Sequence, residues 1–441
     1  MGNWGRFRAI EVVPHVAFVF LRQHSFLSMG AGRAALCLLL ALQTTASLAK
    51  VPATCPAKAS NGAIALQDGR VLLASLEHSC VYDPATSSWS QPIPQKTLRM
   101  NGRMARLFDG SVILMGGHNL RLAILSYEAV STCERFFPAA QVWQTSGELP
   151  DAKDFVEGHS VVTLDDGNVV AVSSDTKFFN PTMGVWLSTS HLAPFNGYQA
   201  VVALPGRRVY ALGGRVEQTL ANDVIIYDGP PTTPSQKTWL LQADSALGLN
   251  PNLDADIRSG PNQAGIAHLL RAQLLQSDSL LIRWEPGPRL KQQHGWPAAT
   301  LLQDGSILIT GGYYASRDED TVVQKNERRF VSTRPARTAE RLYPDSGRVE
   351  QVAPMQKARM AHSLVLLPSG RVLALGGHTN VVGSDLTRTV EEYDPVRNTW
   401  RLLPPLKHDH LQPSAVVLPN GSILIASPTS QPELYRPPTQ F

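Results

Sequence analysis

"SLVLLPSGRVLALGGHTN", Ser363 to Asn380, holds two apolar runs around a Pro-Ser-Gly turn, and two glycines then precede a histidine. A glycine turn between apolar runs is a hairpin signal. The stretch recurs as "ALQDGRVLLAS" from Ala65, "RLFDGSVILMGGH" from Arg106, "TLDDGNVVAVSS" from Thr163, "ALPGRRVYALGGR" from Ala203, "LLQDGSILITGGY" from Leu301 and "VLPNGSILIAS" from Val417. A degraded copy, "LLQSDSLLIRW" from Leu274, aligns with the one at Leu301. Such an internal repeat is read before anything else, because each copy is one unit of a larger array.

A second element follows most copies: "CVYDPATSSW" from Cys80, "ERFFPAAQVW" from Glu134, "KFFNPTMGVW" from Lys177 and "EEYDPVRNTW" from Glu391. In each an aromatic stands seven residues before a Trp: Tyr82 and Trp89, Phe136 and Trp143, Phe179 and Trp186, Tyr393 and Trp400. The intervening Pro and small polar residues make a turn, so this is a second hairpin. "VIIYDGPPTTPSQKTW" (Val224 to Trp239) reads as a copy with a longer turn, and "AERLYPDSGRVEQ" and "PELYRP" as weaker ones. Two hairpins per repeat make one four-stranded antiparallel propeller blade. The expectation is an all-β propeller of seven blades, with an eighth at Leu274 admissible. The repeats run from about Ala59 to Pro437, so residues 50–441 read as a single domain, against the length prior for several.

"ARMAHSLVLLPSGRVLALGGH" (Ala358 to His378) together with "EEYDPVRNTW" resembles the kelch repeat, in the form found in bacterial exported kelch proteins and in the central domain of galactose-oxidase-like enzymes. The resemblance implies a fold and leaves the activity open, because propellers host many functions. The paired glycines Gly116 and Gly117, Gly213 and Gly214, Gly311 and Gly312, and Gly376 and Gly377 are expected to end the second strand beside a crowded axis at positive φ.

Composition excludes several classes. A formal charge of +4 spread along 441 residues gives no nucleic-acid footprint. Arg33 precedes the apolar run Ala34 to Leu42, and Ser47 and Ala49 suit a signal peptidase. Residues 1–49 therefore read as a targeting segment cleaved near Ala49, with residues 1–28 readable as an over-long start ahead of Met29. The run is too short to span a bilayer, so a secreted or periplasmic monomer without a membrane span is expected, with an uncleaved anchor as the alternative. Cys55 paired with Cys80 is the favoured disulfide, with Cys80 to Cys133 as the alternative.

Residues after the glycine pairs and residues eleven ahead of each turn glycine should surround one channel mouth. The first set supplies His118, Arg215, Tyr313, Tyr314 and His378; the second supplies Arg99, His294, Arg359 and His410. A cationic, partly aromatic rim favours an anionic or polyhydroxylated ligand, a carbohydrate or a protein. His159 and His362 read as core side chains, and the recurring Glu134, Glu340 and Glu391 as bonds between blades. The galactose-oxidase-like relatives bind copper through two Tyr and two His, one Tyr directly followed by His, but this chain has no Tyr-His dipeptide. No metal or cofactor is expected, and P-loops, dinucleotide fingerprints and nucleophile elbows are absent. The first expectation is a binding module without catalysis. The alternative is a sugar isomerase resembling sialate mutarotase, with Arg99, Arg215 and Arg359 on a sugar carboxylate and Glu217 or Asp318 as base.

Overall fold

The structure is a computed structural model that describes residues 58–121, 126–188, 198–216, 233–234, 238–242, 283–316, 332–380 and 385–438. Within these residues the chain is an all-β, kelch-type propeller. Each turn glycine joins a half-buried inner strand to a buried second strand, the hairpin that the repeat predicts. Blade 1 is Gly62–Ala65, Val71–Ala74, His78–Asp83 and Ser88–Trp89, with Ile93–Pro94 beside its third strand; blade 2 is Arg103–Arg106, Val112–Met115, Thr132–Phe137 and Val142–Glu148. Blade 3 is Ser160–Thr163, Val169–Val172, Thr176–Asn180 and Val185–Ser188; blade 4 is Ala200–Leu204, Arg208–Leu212, Thr238–Gln242 and Arg283–Pro286. Blade 5 is Ala298–Leu301, Ile307–Thr310, Ala339–Tyr343 and Arg348–Gln351; blade 6 is Ser363–Leu366, Val372–Leu375, Val390–Asp394 and Thr399–Leu403. A three-stranded seventh sheet, Ser414–Val417, Ile423–Ala426 and Glu433–Tyr435, completes the circuit.

The seven-residue spacing from aromatic to Trp places the two rings opposite each other across the third and fourth strands. Tyr82 pairs with Trp89, Phe136 with Trp143, Phe179 with Trp186 and Tyr393 with Trp400, at ring centroid distances of 5.0, 5.2, 5.0 and 4.9 Å. Such tilted aromatic pairs add roughly 0.5–1.5 kcal/mol beyond their buried area. Apart from Arg208 at the start of blade 4's, the second strands, Val372–Leu375 among them, are buried along their length, which explains their apolar runs.

Two expectations need correction. The blade count expected was seven with room for eight; the described residues form six blades of four or more strands and the shorter seventh sheet. The degraded copy at Leu274 adds no blade: its end, Arg283 and Trp284, lies in the fourth strand of blade 4. Val202, Leu204, Tyr210 and Leu212 of blade 4 pack directly with Ile307 and Ile309 of blade 5, leaving no room for a sheet between them. In the same blade Trp239 lies on the third strand, opposite Ala211, and not on an outer strand. The apolar "TWLLQ" completes the ladder beside Arg208–Leu212, and backbone pairing overrides the Trp pattern there.

The circuit closes where Ala63 and Ala65 of blade 1 pack with Val416 and Leu418 of the seventh sheet, and Ala59 N–H donates to Ser427 O at 2.9 Å. Residues 50–57, like the targeting segment, lie outside the described residues. At the far end of the axis the blades interlock through their turns. A Cβ on Gly110 would meet Gln67 Oε1 at 2.5 Å, one on Gly167 the Phe108 Cβ at 2.6 Å, and one on Gly370 the Gln303 Oε1 at 2.6 Å. These three turn glycines, and Gly69 against Pro419, leave space for the residue that stands two before the turn glycine of the preceding blade, whereas nothing lies within 4 Å of such a Cβ at Gly206, Gly305 or Gly421. No helix among the described residues is long and apolar enough to cross a membrane.

Candidate functional site

The lead-in to each inner strand and the segment after each second strand meet at one end of the axis. Bridges join Met100 to His118, Gly295 to Tyr313 and Met360 to His378. The residues that dominate this end are, however, different from those the sequence singles out.

Arg99, His294, Arg359 and His410 are fully buried. Each pairs with the Glu two residues before the aromatic position of its own blade: Arg99 with Glu134 at 3.0 Å, His294 with Glu340 at 3.5 Å, Arg359 with Glu391 at 2.6 Å and His410 with Glu433 at 3.5 Å. Arg359 also donates to Gly376 O and Thr389 O, and Arg99 to Gly116 O and Thr132 O. The Glu carboxylates in turn accept backbone N–H groups of the lead-in: Lys96 and Thr97, Lys291 and Gln292, Gln356 and Lys357, and Lys407. These are clamps that fasten the lead-in to the third strand, and a side chain sealed in one cannot line an open rim. The glutamates thus bond within their own blade and not between blades. In blade 3 the polarity is reversed: Lys177 holds the Glu position, bonded to Asp175 at 2.6 Å and Asp151 at 3.0 Å. In blade 1 Cys80 holds it and is disulfide-bonded. Cys133 is free and buried, so it is not the partner, and Cys55 lies outside the described residues.

Two residues beyond each clamp the chain turns inward. Asn101, Tyr198, Trp296, Ala361 and Gln412 stand there with φ of 59, 61, 59, 52 and 46°, and Gly158 holds the same position in blade 3. Left-handed backbone is uncommon outside glycine and costs roughly 1–2 kcal/mol, and strain of this kind concentrates at functional sites. The conformation lets one N–H reach the matching carbonyl of the preceding blade: Asn101 to Ser60 at 3.1 Å, Tyr198 to Gly158 at 2.7 Å and Ala361 to Trp296 at 3.2 Å. The result is a ring of side chains around the axis. Tyr198 and Trp296 touch at 4.6 Å between ring centroids, and His378 continues the wall 6.2 Å from Trp296. Glu157 accepts from Tyr198 Oη at 3.1 Å and from Asn101 Nδ2 at 3.3 Å. Below the ring lies a cavity of about 260 Å³ lined by residues that include Arg103, Trp296, His362, Gln412 and Ser414.

His118 and His378 are 2% and 4% exposed and sit at this end, His118 with its ring 4.7 Å from Tyr127. Tyr313 is buried with its ring over Gly295, where a Cβ would meet it at 2.5 Å, and Tyr314 is exposed. Arg215 opens a two-residue strand paired with Thr233–Pro234. Glu217 and Asp318, the bases of the isomerase alternative, lie outside the described residues. The missed residues Asn101, Trp296, Ala361 and Gln412 had a signal: each stands nine before a turn glycine, two beyond the frame that identified the clamps.

His159 and His362 are core side chains, as expected. Burial, then the neighbouring positive charge of Arg103 or Arg359, holds both well below the usual histidine range; burial also lowers His118. A histidine kept neutral by folding binds its proton only in the unfolded chain, so its contribution is complete above about pH 6.5 and is lost as pH falls below that value. Stability should therefore drop by about 1.4 kcal/mol per pH unit for each such group. Denaturant melts between pH 7.5 and 5 should show this, and His362→Gln should flatten the slope; a slope unchanged by that substitution would remove His362 from the account.

A copper centre of the kind two tyrosines, two histidines and a Tyr-linked Cys would build does not fit these residues. His294 and His410 are held in separate clamps, and Cys133 packs among Ala105, Ile113, Met115, Phe155 and Trp186, a cluster without tyrosine. Burial pushes the Cys133 thiol up to about 12. Among the described residues no three His, Cys, Asp or Glu side chains group as metal donors.

Comparison with known proteins agrees with the fold. The Kelch motif family matches residues 361–407. A fungal alcohol oxidase of the AA5 family, solved in complex with copper, is similar in structure at 11% identity and a TM-score of 0.59, covering 87% of this chain and 75% of that one. The structure of YjhT is similar at 12% identity and a TM-score of 0.52, covering 80% and 99%. No curated protein sequence matches.

Proposed function

We propose that this kelch-type propeller is a binding module that holds a carbohydrate at the axial mouth. The observation that carries the reading is the left-handed ring, which sets the Tyr198–Trp296 wall beside the Glu157 carboxylate and the Asn101 amide, while Gln412 lines the same cavity as Trp296. A sugar offers the complementary chemistry: an apolar C–H face for an aromatic ring and hydroxyls for carboxylate and amide. The cavity is near the lower end of ordinary small-molecule sites, which favours a sugar over a protein surface. The disulfide at Cys80 supports the exported reading.

Calorimetric titration with neutral and acidic sugars tests it. Trp296→Ala should weaken binding at least tenfold, the equivalent of about 1.4 kcal/mol, and Glu157→Gln should weaken it while leaving the melting curve intact. Unchanged affinity in both variants would exclude the mouth as the site.

A further inference from the structure

We infer that the ligand is a linear oligosaccharide lying across the mouth, with sugar subsites beyond the axial one; this rests on the carbohydrate reading above. The large apolar side chains exposed among the described residues are Leu98, Phe108, Tyr127, Val142, Tyr314, Val396 and Leu402. Only two of these carry a hydroxyl-tipped ring, Tyr127 at 41% and Tyr314 at 38% exposure, and both stand on hairpins rising from the mouth. Tyr127 is on the hairpin His118–Arg121 with Ser126–Ala129, and Tyr314 on the hairpin Tyr313–Ser316 with Ser332–Pro335.

Each hairpin is tied directly to the ring. His118 bridges Met100, the neighbour of Asn101, and Tyr313 bridges Gly295, the neighbour of Trp296. Tyr127 packs edge-on against His118, which continues the aromatic surface outward from the Asn101 and Glu157 side. The two hairpins belong to blades 2 and 5 of a circuit of seven sheets, so they flank the axis from well-separated directions. A tyrosine is suited to a sugar subsite, since its ring offers an apolar face and its hydroxyl a polar end. A cavity of about 260 Å³ has room for one small ring and not for a chain of them. Aromatic side chains on either side of it therefore extend the contact surface along a chain of sugars and not around a single one.

The test is a titration of the full chain with cello-, chito- and xylo-oligosaccharides of one to six units. Affinity should rise with length, at least tenfold between the monosaccharide and the tetramer of the preferred series. Tyr127→Ala and Tyr314→Ala should each lower affinity for the tetramer three- to tenfold and leave that for the monosaccharide unchanged, whereas Trp296→Ala lowers both. Both tyrosines are exposed, and matching thermal melts would show that the variants fold. Equal affinity for monosaccharide and hexamer would overturn the extended site but leave the axial one standing. Absence of binding by every series would overturn both.

Discussion

Gly311→Ala should cost about 2–5 kcal/mol in a denaturant melt, while Gly305→Ala should cost only about 1–2 kcal/mol. Both glycines are left-handed, with φ of 60° and 80°, so both substitutions carry the backbone penalty of about 1–2 kcal/mol. They differ in what a methyl group would meet. At Gly305 there is nothing within 4 Å, whereas at Gly311 the Cβ would overlap the Arg359 carbonyl oxygen of the next blade and reach His362 at 2.8 Å. Overpacking against a fixed carbonyl adds about 1–3 kcal/mol. The second glycine of each pair faces its own blade instead: a Cβ on Gly377 would meet Met360 O at 2.6 Å, and one on Gly312 would meet Gly295 O at 2.6 Å. The pair is thus needed because the chain leaves the blade between two lead-in segments, one on each side. Equal costs at 311 and 305 would show that φ alone selects glycine there.

Arg359→Met should destabilise by about 3–5 kcal/mol, because it leaves the Glu391 carboxylate buried without its charge partner. The double variant Arg359→Met/Glu391→Gln should recover at least half of that loss: no charge remains unpaired, and the amide oxygen can still accept from the Gln356 or Lys357 N–H. Sugar affinity per folded molecule should be unchanged in both, because the clamp faces the blade interior. A stable Arg359→Met that loses sugar binding would return Arg359 to the rim and refute the clamp.

These two cases show what the sequence can and cannot disclose. The blade was legible because its determinants are local and repeated: a turn glycine, an apolar run, and an aromatic seven residues before a Trp. The ends of the axis were legible too, since strand direction alone brings the post-glycine and lead-in segments together. Side-chain destination was not. Arg359 and Arg99 have the charge of ligand-binding residues, and only the position of Glu391 or Glu134 on the adjacent strand shows that they are sealed in pairs. Trp296 and Tyr198 carried the opposite difficulty: an isolated aromatic before a strand looks like core, and although Trp296 stands at a recurring position nine before a turn glycine, that spacing does not disclose the left-handed backbone that turns its side chain to the axis. Blade 4 departs from the pattern because a long insertion separates its strands, so Trp239 pairs by ladder register and not by motif position.

The central claim is that the left-handed ring presents Trp296 to a sugar. Its most direct test follows the indole N–H signals of the eight tryptophans by NMR during titration with the best-binding oligosaccharide, with Trp296 assigned through Trp296→Phe. The account predicts that the Trp296 signal shifts and saturates with ligand, while those of Trp143 and Trp400, fixed inside blades by bonds to Ser79 Oγ and Ala353 O, stay in place. A Trp296 signal that does not move at saturating ligand would contradict it.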